Sequence, residues 1–470
     1  MDSRNGKLSF GSKLGYGIAS FSDSIYYSVV VVFLVYFLTV VAKIEPGIAG
    51  TISSAALLIS AFVTLLIGHF SDNSKHKGGR RRHFIKAALP VLFISFIAVF
   101  TTFGFTGTAA VIYYAIFIIL FWCGYCGFFV PYTALGAEMT DDYNERTSLR
   151  SYSAVSIQIG GFVATACPLF FVSVMMNQGL SQQSSWTVSA VIFSVMSGIA
   201  ILIMIIATRG KERIITKEEE KENKNIVKNY IEVFRAKPTK FIVIAFLIFI
   251  VINGIFTSNL TFFAVYNLGL TESAASTIYG IQFLFGACLA PVINLLAHKT
   301  DKRRAFMIIF LVAAALICVF SLIGIDSYIM LLLLAVAFII ANAGFWQLAA
   351  STMYDVAEVI ELNTGQRLEG TVSSLQSFII QIGGSLATLI LGWSLQLSGF
   401  DEGAAVQSDQ ALSAIVSLGT IVPVIGCLII VGFMALFPIN KKTYGLMQNA
   451  LKDKNEKGTF SKEGLQRILK

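Results

Sequence analysis

The chain has 470 residues, 56% hydrophobic and 13% charged, with a mean hydropathy of +0.74. A water-soluble protein of that length needs far more polar surface, so composition excludes a soluble globular protein and points to a polytopic membrane protein. The net charge of +8 is explained by basic loops facing acidic lipid headgroups, and no basic aromatic motif or soluble domain is present to carry a nucleic-acid role.

A helix crossing about 30 Å of hydrocarbon needs roughly 20 apolar residues. Twelve such runs are predicted. Six lie near 14–42, 49–70, 84–104, 109–138, 150–176 and 185–208, and six near 239–266, 274–298, 304–325, 328–355, 369–398 and 411–437. A closed β-barrel would read as short alternating strands instead. The first run is too long for a cleavable signal and lacks its pattern, so it is read as a retained span. Of the 35 Lys and Arg, Lys43 alone falls in a loop on one side. Loops on that side carry Glu272, Asp326, Asp401 and Glu402 without a base. The positive-inside rule therefore puts both termini and the 209–238 loop in the cytoplasm of a multi-pass cell membrane protein.

The polar stretch 209–238 divides the chain. It separates an N-terminal six-helix lobe at 1–208 from a C-terminal one at 239–437, followed by a tail at 438–470. The tail reads as one or two basic helices on the membrane surface. The halves repeat features. "GHFSDNSKHKGGRRRHF" follows the second run and "AHKTDKRRAF" the eighth; "EMTDDYNERTSLRSY" precedes the fifth and "YDVAEVIELNTGQRLEG" the eleventh. The phrases "IQIGGFVAT" and "IIQIGGSLAT" then follow in corresponding places. A six-plus-six repeat suggests a secondary transporter with a central site. Candidate cytoplasmic gating charges are Asp72, Arg80, Glu138, Glu145 and Arg146, then Asp355, Glu361 and Arg367. Carboxylates and guanidinium groups at helix ends can latch lobes in one state and release them in another, or they only fix topology.

Asp23 is the one carboxyl well within a predicted span. An unpaired charge at that depth costs several kcal/mol, so such groups are rare and usually functional. It is the candidate for proton coupling and for accepting hydrogen bonds from a solute, unless it reaches interfacial water near the cytoplasmic end. Aromatic rings stack on the apolar face of a pyranose while polar groups bind its hydroxyls. Tyr26, Tyr27, Tyr125, Phe129, Tyr132 and Trp346 are candidate platforms; Gln158, Asn253, Gln282 and Gln381 are candidate polar ligands. Asn259 and Asn342 also lie in spans, where amides often join helices by bonds of about 1 kcal/mol.

All six Cys lie in apolar runs, and "CGYC" reads as small-residue packing rather than a redox pair. The four His flank basic loops. No metal or cofactor motif, HExxH helix, P-loop or Ser–His–Asp set can be argued, so neither an enzyme nor an ATP-driven pump is expected.

"KLGYGIASFSDSIYYS", "VPYTALGAEMTDDYNERTSLRSY" and "MYDVAEVIELNTGQRLEG" resemble parts of the glycoside–pentoside–hexuronide:cation symporters. That family includes melibiose permease and lies within the major facilitator superfamily. The phrases are similar to its opening helix, its fourth helix with the following loop, and the loop between its helices ten and eleven. The resemblance covers nearly the whole chain. It implies an all-α major facilitator fold of about 12 transmembrane helices in two pseudo-symmetric six-helix lobes. It also implies movement of a sugar, glycoside or uronide by alternating access, usually with a cation. Sodium-coupled members carry two aspartates one turn apart on helix two, a pair of hard oxygen ligands. Here Ser60 and Thr64 stand there, a degenerate cation site. The family's helix-eleven lysine is matched by Gln381, its sugar-binding helix-four aspartate by Phe129, and the arginine partner by Ala154 or a neighbour. Asp23 matches the sugar-contacting part of helix one, and Trp346 a tryptophan of helix ten. The expectation is a monomeric, bacterial sugar or glycoside carrier, proton-coupled or facilitative. A transporter of an amphiphile such as a lysolipid or glycolipid, and a non-transporting membrane sensor, are the other readings.

Overall fold

The computed structural model describes residues 8–72, 74, 79–140, 142–211, 226–364, 369–401, 403–404, 406–457, 463–466 and 468. Among these the regular structure is entirely helical. The first half forms α1 (Phe10–Tyr36), α2 (Pro46–Asp72), α3 (Arg80–Val99), α4 (Gly107–Glu138), α5 (Tyr143–Asn177) and α6 (Gln182–Ala207). A short α7 (Ile226–Arg235) follows, then α8 (Lys237–Phe262), α9 (Glu272–Lys299), α10 (Lys302–Ile323), α11 (Tyr328–Thr364) and α12 (Glu369–Leu397). The chain closes with α13 (Asp409–Gly419), α14 (Ile421–Leu436) and α15 (Lys441–Lys457).

Among the described residues twelve stretches are long and apolar enough to cross a bilayer, each near an expected run. The last consists of α13 and α14, which break at Thr420. Pro423 has no N–H to give the Gly419 carbonyl, so the hydrogen-bond ladder is interrupted there. The tenth span runs to Thr364 instead of ending near 355. Its charged turns stay helical because Asp355 and Glu358 find partners in Lys302 and Gln448. Several helices begin at the side-chain caps that polar sequence supplies. Ser9, Asp142, Ser181 and Asp301 each accept a hydrogen bond from the backbone three residues on.

The two halves repeat in detail. The first span of each ends in one π-helical turn, Phe37–Val41 after α1 and Phe263–Asn267 after α8. The glycine phrase places equivalent helices in tight contact. A Cβ on Gly160 of α5 would lie 2.7 Å from the Phe21 carbonyl of α1, and one on Gly383 of α12 would lie 2.7 Å from the Ile250 side chain of α8.

By its contacts the chain divides into two units. One holds Met1–Ile215, Thr257–Gly280 and Gly384–Ile415; the other holds Thr216–Phe256, Ile281–Gly383 and Val416–Lys470. The first has α1 packed along α5 and α6, and α4 along α2 and α3. Its aromatic core includes Phe100 stacked on Trp186 at 5.7 Å, with Phe37 edge-on to the same indole at 5.6 Å. At the end with few basic loops, segments of later spans join this unit. A Cβ on Gly50 would lie 3.0 Å from the Gly392 Cα, and Ser54 meets Ser385 at 2.7 Å. Glu272 accepts from the Tyr36 hydroxyl at 2.9 Å and from the Gln182 amide at 2.7 Å. Asn259, a span amide, donates to the Ile415 carbonyl at 2.8 Å.

In the second unit α10 packs on α11 and α14, around Phe249 stacked on Phe345 at 3.7 Å. The tail, expected on the membrane surface, packs into this unit instead. Met447 of α15 is fully buried in its core, and Lys454 donates to the Glu361 and Leu362 carbonyls at 2.9 and 2.8 Å. Those carbonyls lie in the last turn of α11, where a cation also meets the negative end of the helix dipole.

A side chain at Gly160 has no room against α1. Gly160→Val is expected to destabilise the protein by about 1–3 kcal/mol, the usual cost of overpacking a close contact. The measurement is the thermal unfolding midpoint in detergent, with Gly432→Val as control because a Cβ there meets nothing within 4 Å.

Candidate functional site

In the first unit, α1 and α4 bring a carboxylate against an aromatic wall. Asp23 Oδ1 accepts a 2.7 Å hydrogen bond from the Tyr125 hydroxyl. Bonds to an ionised acceptor are the short, strong class. The Tyr125 ring stacks on Phe129 at 5.5 Å with 8° between planes, and meets Trp122 edge-on at 5.5 Å. Tyr27 approaches Tyr125 at 5.9 Å and stands edge-on to Trp122 at 6.0 Å. Helical spacing explains the grouping: Trp122, Tyr125 and Phe129 share one face of α4, and Asp23 and Tyr27 one face of α1. Tyr125 and Trp122 are buried, while Asp23, Tyr27 and Phe129 are half-buried. The cluster thus has one carboxylate and several ring faces in reach of a ligand. Among the described residues no Lys or Arg bonds to Asp23.

The other aromatic candidates of α1 and α4 do different work. Tyr26 is fully buried, edge-on to Phe96 at 5.0 Å, with its hydroxyl 3.4 Å from Ser194. Tyr132 is a clasp between the helices. Its hydroxyl lies 2.6 Å from Ser20 Oγ and donates to the Tyr16 carbonyl at 3.0 Å, and its ring stacks on Tyr16 at 4.7 Å. Gly136 is needed here, because a Cβ would collide with the Tyr16 hydroxyl.

Gln158 is exposed on α5, at the level of Asp23, since Ser24 donates to the Ile157 carbonyl at 3.1 Å. Ser60 and Thr64 lie one turn apart on α2 with their hydroxyls turned to backbone. Ser60 donates to the Leu57 carbonyl at 2.7 Å and Thr64 to the Ser60 carbonyl at 2.9 Å. Thr64 Oγ1 is also 3.2 Å from Cys126 Sγ of α4. This is a neutral hydroxyl–thiol contact between α2 and α4.

The second unit holds the remaining candidates. The amides of Asn342 and Asn253 are hydrogen-bonded to each other across α11 and α8. Gln282 is buried and donates to the Ala335 carbonyl at 3.1 Å, a helix-joining role. Trp346 is 44% exposed, edge-on to Phe345 at 5.6 Å. Gln381 is half-buried on α12, two residues before Gly383.

Of the gating charges, Glu138, Glu145 and Asp355 each pair within their own unit. Glu138, at the end of α4, meets Arg81 of α3 at 2.9 Å, with both side chains buried, and Arg81 also donates to Ser71 at 2.7 Å. In the second unit Asp355 takes Lys302 at 2.7 and 3.0 Å, and that ammonium lies 5.2 Å from the Tyr444 ring centre. The pairs occupy corresponding places: the start of the third span of a half bonds to the later part of its fourth. Arg81 and Lys302 were not among the expected gating residues. Their signal was the basic run that "GGRRRHF" and "DKRRAF" share, which does not say which base meets the acid. Glu145 meets Lys13 at 2.9 Å and accepts from the Leu8 backbone at 2.9 Å. The Lys13 ammonium, then the Leu8 N–H, holds the Glu145 carboxyl below its ordinary range. Asp72, Arg80 and Arg146 lie in helices, but their side chains, and Arg367 altogether, lie outside the described residues.

A family model described as MFS/sugar transport protein matches residues 15–441. The chain is 29% identical to the uncharacterized symporter YjmB of Bacillus subtilis, covering 91% of this chain and 92% of that one. It is 25% identical to the isoprimeverose transporter of Lactiplantibacillus pentosus, covering 89% and 86%. It is 24% identical to the inner membrane symporter YicJ of Escherichia coli, covering 95% and 94%. Among solved structures, the nucleoside transporter NupG superposes with a TM-score of 0.62 at 16% identity, covering 91% of this chain and 99% of that one. A bacterial homologue of human drug peptide transporters superposes with a TM-score of 0.66 at 13% identity, covering 91% and 98%. At these identities the superpositions speak for the fold alone.

The depressed Glu145 gives a pH test of known sign. Its stabilisation is complete above the ordinary Glu value of 4.5 and is lost as pH falls below that, through the folded-state value. Thermal midpoints of wild type should therefore fall through that acid window more steeply than those of Glu145→Gln, and the two curves should be parallel above pH 6.

Proposed function

The chain belongs to the MFS/sugar transport protein family, and on that premise we propose that it carries a sugar or glycoside by alternating access, with proton coupling through Asp23. It is a multi-pass membrane protein of the secondary-transporter class. The single observation that carries the finer reading is the Tyr125–Asp23 hydrogen bond on the edge of the aromatic wall. Tyr27, Tyr125 and Phe129 offer ring faces to a pyranose, and Asp23 accepts hydrogen bonds from its hydroxyls. A carboxylate at membrane depth with no basic partner among the described residues calls for neutralisation by something that arrives with the cargo. A proton meets that need, and it also turns Asp23 from an acceptor into a donor. Solute and proton thereby address the same atoms, which is the elementary requirement for coupling them.

Sodium is the less suitable ion. Ser60 and Thr64 supply neutral oxygens that already bond to backbone carbonyls, whereas a small hard cation is held by carboxylates. The names of the relatives, an isoprimeverose transporter among them, support a sugar as cargo. The distribution of Lys and Arg supports cytoplasmic termini. We take the helix sets at 1–208 and 239–437 as the two lobes of a monomeric carrier in a cell membrane. Relatives that are transporters support the absence of a catalytic role.

Purified protein in proteoliposomes tests this. An inward proton gradient is expected to drive accumulation of a neutral glycoside, while a sodium gradient alone drives none. Asp23→Asn should abolish gradient-driven accumulation, and Tyr125→Phe should weaken glycoside binding about tenfold, the effect of about 1.4 kcal/mol lost from a charge-assisted bond. Sodium-driven uptake that survives Asp23→Asn would overturn the coupling.

A further inference from the structure

At the end of the first unit with few basic loops, one carboxyl is bonded in a way that the Asp23 cluster does not use. Glu272 accepts from the Tyr36 hydroxyl at 2.9 Å and from the Gln182 amide at 2.7 Å, and both bonds fall on Oε1. Its Oε2 is sealed and has no hydrogen-bond partner. The three residues come from three places in the chain: Tyr36 ends α1, Gln182 starts α6 and Glu272 starts α9. Moving α9 away from α1 and α6 breaks both bonds.

An ionised carboxylate carries its charge on both oxygens and calls for donors at each, whereas a protonated carboxyl needs them at its carbonyl oxygen alone. The bonds at Glu272 have the second form: Oε1 takes both donors as a carbonyl does, and Oε2 stands where the O–H belongs. A neutral hydroxyl left without a partner costs less than a charged oxygen so left. The groups facing Glu272 supply no countercharge. They are Tyr36 and Gln182, with Tyr266 of the π turn after α8 and Tyr279 of α9 beside Tyr36. Lys43, Glu45, Asp401 and Asp409 lie in loops or helix starts at the same end of the unit, and none of them bonds to Glu272. The positive end of α9 favours an anion, but no N–H of its first turn bonds to this carboxyl.

We propose that Glu272 is a second proton-binding site, occupied while this end of the first unit is closed and emptied when it opens. The distribution of Lys and Arg assigns this end to the exterior. The proton passes from the outer aqueous phase to Oε2 as α9 settles against α1 and α6. It returns to the same phase when the two bonds break and the carboxyl meets water. It is not carried across, so it adds nothing to the proton count of transport through Asp23. External acid thereby favours the closed arrangement of this end. The role as a gate rests on the reading of the chain as an alternating-access carrier; the proton site does not.

The test measures hydrogen exchange of the backbone amides of 272–282 in full-length protein in nanodiscs, with protection corrected for the intrinsic pH dependence of exchange. One proton released on opening predicts that protection falls about tenfold for each unit of pH raised between about pH 6 and about pH 8.5, a window between the ordinary ranges of carboxyls and phenols. The four His lie in or beside the basic loops at the other end, so they do not supply that slope. Glu272→Gln keeps a carbonyl oxygen for both donors and puts an NH₂ where the O–H stood. It should show high protection that no longer varies with pH, while Asp23→Asn keeps the wild-type slope. A carboxylate that closes this end only by its two bonds predicts a flat wild-type profile and weaker protection in Glu272→Gln, and either result overturns the site. The slopes of wild type and Asp23→Asn decide the matter even where Glu272→Gln fails to fold. A flat profile beside intact, Asp23-dependent uptake strikes the Glu272 site alone. A tenfold slope in a protein that moves no glycoside keeps the proton site and removes the carrier reading.

Discussion

Inside hydrocarbon, every polar group must find its partner within the protein. That constraint shapes this molecule from end to end. It makes the described chain helical, because only a helix satisfies the backbone within a single crossing. It bends span hydroxyls back onto their own carbonyls, as at Ser60 and Thr64. It sends Gln282 to the Ala335 carbonyl and Asn259 to that of Ile415. Some span groups keep hydrogen-bonding capacity that these bonds do not use. Asp23 and the Asn253–Asn342 pair are of this kind, and both sit beside aromatic rings.

The same constraint explains the repetition between halves. Arg81–Glu138 and Lys302–Asp355 occupy corresponding places, and Gly160 and Gly383 let corresponding helices touch. In each half such an ion pair joins the third span to the fourth. Desolvating such a pair is costly unless both partners are present and well placed. Where described, Arg81–Glu138, Lys13–Glu145 and Lys302–Asp355 each join elements of one unit.

The crossings themselves were legible because hydropathy is a sum over many residues, and single substitutions barely alter it. The span ends were less so. The tenth span outran its expected limit since Asp355 and Glu358 found partners from distant segments, and no local pattern announces that. Asp23 could be picked out by its rarity at depth, whereas Tyr125 was one aromatic candidate among several. Tyr26 could not be separated from Tyr27 in the same way. A single step along α1 sends one ring into the Phe96 core and the other to the half-buried wall, and that choice depends on where α3 and α4 pack. The pairing of Asn253 with Asn342 is likewise invisible in sequence, because a hydrogen bond between helices far apart in the chain leaves no periodic trace.

One carboxylate at the opposite end of the molecule has a thermodynamic consequence. Glu272 sits where segments of early and late spans meet, bound by Tyr36 and Gln182 through a single oxygen, while its other oxygen is sealed without a partner. A carboxylate so placed has surrendered hydration that two hydrogen bonds do not fully restore. Any separation of these segments hands that hydration back. Closing these contacts therefore sets the hydration of one carboxylate oxygen against apolar contact and the close glycine crossing.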